Sequence, residues 1–189
     1  MSQIFKSEVK KIKNYIVFFM ITVFCILFFT YNNDNPFSEE INLGIYSMNY
    51  DTSILPDTPR GKKIKYGKKL FVETSELLGR KSYKDFVGNS LACSNCHLNN
   101  GKQPFAMPLI GVDKRFPQYR GRENKIGSLE ERINGCFERS MNGKKLNDQS
   151  EEMIALVSYI KWLGRYVKKG EMIFGLSLIH ISEPTRPEE

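Results

Sequence analysis

Cys93-Ser94-Asn95-Cys96-His97 reads C-x-x-C-H, and the chemistry of those five residues decides the fold. Two thiols three positions apart, followed by an imidazole, can add across both vinyl groups of a haem and set His97 on its iron as proximal ligand. A zinc half-site would need two further ligands at similar spacing, and a thioredoxin-like dithiol has no use for the histidine. One covalently attached haem c is therefore expected, with Cys93 and Cys96 as attachment points.

The remaining cysteines sharpen this. Cys25 lies in an apolar run, which leaves Cys136 alone in the oxidising compartment that c-type haem requires. A free thiol there is either buried and inert or has a task. The chain carries a formal charge of +7, and the stretch 32–175 keeps +6 of it. Such a field suits solubility, and it also draws in a small anionic substrate or an acidic redox partner. No basic-aromatic repeat or nucleic-acid motif is present, so DNA and RNA are not expected partners.

At the N-terminus Lys10, Lys11 and Lys13 precede an almost unbroken apolar run from Tyr15 to Tyr31. It ends Phe28-Phe29-Thr30-Tyr31-Asn32, without the small-x-small site of a cleaved signal peptide. Its length just suffices to span a bilayer, and the lysines should stay cytoplasmic. The expectation is a basic cytoplasmic segment over 1–14 and an uncleaved signal anchor, a transmembrane helix, over 15–31. The rest would then lie on the periplasmic face of the inner membrane. A cleaved signal, leaving the domain in the periplasm, is the alternative. Phe24 before Cys25 argues against a lipoprotein site.

Residues 32–59 are polar, with Pro36, Pro56 and Pro59, and read as a flexible tether. From Gly61 to Leu78 the apolar positions Ile64, Leu70, Phe71, Leu77 and Leu78 follow helical spacing, with Gly67 on the face of Phe71. Residues 98–127, rich in Asn, Gly and Pro, should be largely irregular. Ser128-Leu129-Glu130-Glu131 is a capping box that starts a helix carrying Leu129, Ile133 and Phe137 inward, ended by Asn142-Gly143. Asp148-Gln149-Ser150-Glu151 offers a second box before Met153, Ile154, Val157, Ile160 and Leu163, with Gly164 as stop. The expected fold is mainly α, a small haem domain over 60–169 whose macrocycle supplies much of the buried apolar surface. The Gly67/Phe71 face and the Tyr159/Trp162 helix resemble the crossed helix pair of class I cytochromes c.

Candidates for the second axial ligand are Met107, Met141, Met153 and Cys136. Met107 follows His97 too closely to cross comfortably to the other haem face. Met141 and Met153 suit either ligation or core packing. On the helix begun at Ser128, Cys136 shares a stripe with Leu129 and Ile133, flanked by Arg132, Arg139 and Ser140. Guanidinium groups lower a thiol pKa, as does ferric iron, and the same arginines can hold an oxyanion beside the sulfur.

Arg132-Ile133-Asn134-Gly135-Cys136-Phe137-Glu138-Arg139-Ser140-Met141-Asn142-Gly143 resembles the distal-ligand segment of thiosulfate dehydrogenases and of the A subunit of the Sox thiosulfate-oxidising complex. Cys93–Gly101 and Phe116-Pro117-Gln118-Tyr119-Arg120-Gly121-Arg122 resemble the same family, and the likeness runs from about Gly61 to Leu163. It implies oxidation of two thiosulfates to tetrathionate, with electrons passed to another cytochrome. Cys136 would be axial thiolate and transient sulfur acceptor, with Arg122, Arg132 and Ser140 as sulfonate contacts and Arg139 beside them. Two other readings stand open: a monohaem electron carrier with His97/Met141 ligation, and a Sox-type subunit that joins thiosulfate to a carrier protein's cysteine.

The family pattern also implies a second haem domain, with 170–175 as the start of its linker. Leu176-Ser177-Leu178-Ile179-His180-Ile181-Ser182-Glu183-Pro184-Thr185-Arg186 resembles a translated transposase-based sequencing adapter, in frame throughout. The expectation is that 176–189 is non-native and that the original frame is lost near Gly175. His180 is then no ligand candidate, which leaves His97 as the one native histidine.

Overall fold

The computed structural model describes residues 2–33, 43–171, 173 and 175, with side chains described over 13–28, 44–171, 173 and 175. It divides into two units, Met1–Ile41 and Asn42–Glu189. In the first, the apolar run lies inside one helix, α1 (Ser2–Asn33). Its described side chains are mostly exposed, from Tyr15 at 75% to Phe28 at 59%. Among the described residues no helix is long and apolar enough to cross a membrane.

The second unit is built on a close crossing of two helices. In α2 (Pro59–Val72) Pro59 supplies a preset φ at the first position, and the Thr58 hydroxyl accepts from Gly61 N. Its apolar positions Ile64, Leu70 and Phe71 are buried against α7 (Glu151–Leu163), whose Met153, Leu156, Tyr159 and Leu163 are buried in turn. A Cβ on Gly67 would lie 2.0 Å from Ala155 O and 2.9 Å from Tyr159 Cβ. Only hydrogen at that position lets the two backbones touch. Phe71 and Tyr159 pack ring to ring at 5.5 Å, and the expected crossed pair is present.

The helix expected over Gly61–Leu78 is two. At Glu73 (φ −111°, ψ 35°) the chain leaves helical geometry and resumes as α3 (Thr74–Leu78). The apolar pattern carries through, since Leu78 remains fully buried. Periodicity could not reveal the break, because the apolar spacing is compatible with it.

The inner end of the expected tether is folded. A 3-10 turn at Leu43–Ser47 leads to Tyr50, which is 6% exposed and packs edge-on against Trp162 and Tyr166. The Arg165 guanidinium lies 5.0, 4.0 and 4.2 Å from the Tyr50, Trp162 and Tyr166 rings and donates to Asn49 O. Polar neighbours hide this aromatic clamp from a composition reading. Residues 34–42 lie outside the described set.

Between the attachment motif and residue 127 the chain is largely irregular, as its composition suggests. It nevertheless holds α4 (Cys93–Cys96), a distorted turn α5 (Leu98–Gly101), a 3-10 turn at Val112–Arg115, and an antiparallel pair β1 (Gln118–Arg120) and β2 (Lys125–Gly127). Three-residue strands are too short to show alternation. The capping box at Ser128 forms as expected: Ser128 N donates to Glu131 Oε2 at 2.9 Å and Glu131 N to Ser128 Oγ at 3.1 Å. Helix α6 (Leu129–Arg139) follows, and the chain turns away at Asn142 (φ 49°).

For α7 the cap is Ser150, whose hydroxyl accepts from Met153 N at 3.2 Å, rather than Asp148. Asp148 instead accepts from Asn134 Nδ2. Gly164 ends α7 as expected. Beyond it Val167 and Ile173 are buried, and Gly175 O accepts from Phe105 N at 2.8 Å. Of the expected 170–175 linker start, Ile173 and Gly175 are buried on the domain, whereas Gly170 and Glu171 are exposed. Residues 176–189, with His180 and the adapter-like stretch, lie outside the described set.

Candidate haem site

The attachment motif occupies one helical turn. In α4, Cys93 is half-buried and Cys96 exposed, and His97 N donates to Cys93 O at 2.9 Å. The imidazole is then oriented from the other side. His97 Nδ1 and Met107 O are 2.6 Å apart. A carbonyl can only accept, so Nδ1 is the donor in this pair, which leaves Nε2 as the ring nitrogen available to a metal. The loop that brings this carbonyl back runs through left-handed residues Asn99, Asn100, Gly101, Phe105 and Met107. Met107 thus serves through its backbone, on the His97 side, and its side chain is partly exposed.

Cys136 comes to His97 from α6. Burial raises its thiol pKa, but a side-chain hydrogen bond to His97 and the positive charge of Arg132 lower it by more, so the net shift is downward. Arg132 Nη1 donates to Cys136 Sγ at 3.1 Å, the i−4 contact expected from the helix. Cys93 goes the other way, since burial pushes its thiol up to about 12. Met141 and Met153 are 4% and 0% exposed in the apolar core. The Met141 carbonyl accepts from Gly88 N. Of the four distal candidates, Cys136 is the one brought to the imidazole.

The other expected contacts divide. Ser140 is exposed one turn beyond Cys136, and its carbonyl accepts from Asn89 Nδ2. Arg122 is exposed in the β1–β2 turn. Arg139 is committed elsewhere: it donates to Glu123 Oε1 at 2.8 Å, and buried Arg120 donates to the same oxygen at 2.8 Å. Both guanidinium groups lie over Gly135, where a Cβ would meet Arg139 Nη2 at 2.7 Å. They form one wall of a cleft of about 510 Å³ that also includes Glu131, Asn134, Glu138 and Asp148.

Sequence reasoning missed this Arg120–Glu123–Arg139 cluster, the Met107 carbonyl and Thr74, which touches Cys93. Asn134 was also missed; its amide donates to Leu146 O and its Oδ1 accepts from Leu146 N. A buried Asn beside Gly within an amphipathic helix was the one available signal.

The donor set fits covalent haem. Two thiols sit within one turn, His97 has Nδ1 held by Met107 O and leaves Nε2 for a metal, and the Cys136 sulfur lies within hydrogen-bond reach of the same ring. Phe71 closes the His97 side at 6.1 Å between ring centres.

Residues 79–168 match the family model for the SoxA/TsdA cytochrome c domain. The chain is 36% identical over 137 residues to a thiosulfate dehydrogenase of Psychrobacter arcticus, covering 72% of this chain and 40% of that protein. It is 35% identical over 140 residues to a thiosulfate dehydrogenase of Allochromatium vinosum, covering 72% of this chain and 50% of that one. A solved thiosulfate dehydrogenase (TsdBA) from Marichromatium purpuratum, in its as-isolated form, superposes with a TM-score of 0.61 at 31% identity, covering 67% of this chain and 28% of that one. The matched region thus spans half or less of the length of these relatives.

Proposed function

This chain carries a cytochrome c domain of the SoxA/TsdA type and is related to the thiosulfate dehydrogenases, and we propose that it joins two thiosulfates into tetrathionate at a haem held by Cys93, Cys96, His97 and Cys136. The observation that carries this reading is the meeting of Cys136 with His97 under the Arg132 guanidinium. An electron carrier needs no such lowered thiol, and Met141, the ligand such a carrier would use, is packed in the core.

The residues divide the work. Arg132 favours the thiolate form of Cys136 and, with Ser140 and Arg122, offers donors to the sulfonate of an incoming thiosulfate. An S–S bond forms between Cys136 Sγ and the sulfane sulfur of the first thiosulfate, and two electrons leave. The sulfane sulfur of a second thiosulfate then attacks that same sulfur. The bond to Cys136 breaks, Cys136 regains its electron pair as thiolate, and tetrathionate departs. Bound haem supplies a one-electron acceptor next to the reacting sulfur, used twice for each tetrathionate. The reverse direction uses the same groups. His97, oriented by Met107 O, would hold the haem iron through Nε2. Arg139 acts at one remove, held by Glu123.

Electrons pass on to another cytochrome. What supports a membrane anchor, with the haem domain on the periplasmic face of the inner membrane, is the apolar stretch 15–31 behind Lys10, Lys11 and Lys13, which runs past the described side chains of 13–28.

Steady-state turnover of free thiosulfate with an artificial electron acceptor tests the reaction. Cys136→Ala should lose about a hundredfold or more of it while haem stays covalently attached. Near-normal turnover in that variant would remove Cys136 from the chemistry. Activity that appears only with a carrier protein's cysteine would point instead to thiosulfate conjugation.

A further inference from the structure

Thr74 is fully buried, and no step above uses it. Its hydroxyl donates to Phe71 O at 3.2 Å, the usual three-residue back-bond, and lies 3.4 Å from Cys93 Sγ. The oxygen lone pairs then face Cys93 N, which donates to Thr74 Oγ1 at 3.1 Å. That contact matters because the attachment helix cannot cap itself. The residue before it is Ala92, which has no oxygen to offer the first amides. Asn95 Oδ1 accepts from Ala92 N, one residue too early to serve Cys93.

We propose that Thr74 is a positioning residue of the haem site, a cap supplied across space that fixes the Cys93 peptide and, through it, His97. The coupling is direct. Cys93 gives its N–H to Thr74 and its carbonyl to His97 N at 2.9 Å, so one peptide pair links the hydroxyl to the proximal histidine. Met107 O then holds the imidazole end of the same residue. The break at Glu73 acquires a role here: α3 restarts with Thr74 as its first residue, aimed at the motif. The inference rests on haem attachment at Cys93 as proposed above.

The test uses the full holoprotein with Thr74→Val, which keeps the volume and removes the hydroxyl, and Thr74→Ser, which keeps the hydroxyl. Amide hydrogen exchange at Cys93 should speed up by about tenfold or more in Thr74→Val and stay near wild type in Thr74→Ser. Amides of α7, such as Ile160, should change far less in either. The oxidised low-spin resonance of Thr74→Val should broaden or split as His97 loses its single orientation, and Ser should restore it. Thr74→Ala serves the same arm if Val does not fold. Equal exchange at Cys93 in Ser and Val, or a uniform rise that includes α7, would overturn the inference and leave Thr74 a packing residue. Absence of covalent haem from the unmutated protein would instead overturn the attachment on which it rests.

Discussion

The α2–α7 crossing and the wall that α6 and the 98–127 loop build around His97 are held by different physics. At the crossing, size decides: Gly67 admits the Ala155 backbone, and Phe71 meets Tyr159 ring to ring. At the wall, direction decides: Arg132 points at a sulfur, Met107 O at an imidazole nitrogen, and Thr74 at a peptide N–H. Apolar packing tolerates rearrangement at constant volume, whereas a hydrogen bond to a reacting group loses its value with small misplacement. The crossing is the rigid support, and the wall is where the proposed chemistry is placed.

The largest break of that contrast comes at the crossing. Gly67→Val would drive methyl groups into Ala155 O and Tyr159, and should cost about 3 kcal/mol, read as a shift in the urea unfolding midpoint of the holoprotein. A midpoint within experimental error of wild type would mean that the helices do not touch there. At the wall, Arg132→Ala should leave that midpoint nearly unchanged and lower kcat/KM for thiosulfate about tenfold to a hundredfold. An unaltered saturation curve would take Arg132 out of the site. The smallest effect belongs to the cap of the helix that carries Cys136. Ser128→Ala removes one arm of the capping box and should destabilise by about 1 kcal/mol, with turnover kept. A larger loss of turnover than of stability would show that the start of α6 also positions Cys136.

The same contrast explains what the sequence reveals. Ile64, Phe71, Met153 and Leu163 announce themselves by spacing, because size-driven packing repeats with the helical period. Ser128 and Glu131 are legible because a capping box is local. Cys93, Cys96 and His97 are legible because their chemistry demands contiguous spacing. Thr74 and Cys93 lie nineteen positions apart, and Arg139 reaches Glu123 across sixteen, so neither pairing leaves a periodic trace. The Met107 carbonyl has no side-chain signature at all. Tyr50 and Arg165 meet across still more chain, which is why residues 43–58 read as tether although Tyr50 and Thr52 are buried. Arg139 carries a further lesson: a side chain at the right helical offset from Cys136 is drawn away by an acid that the helix itself does not contain.

The ligand set at the iron is the point on which the proposed chemistry turns. Low-temperature electron paramagnetic resonance of the oxidised holoprotein, compared with Cys136→Ala, tests it most directly. A low-spin signal of histidine/thiolate type, lost in the variant while haem stays bound, is the predicted result. A methionine-type spectrum that survives Cys136→Ala unchanged would contradict it and make this haem an electron carrier.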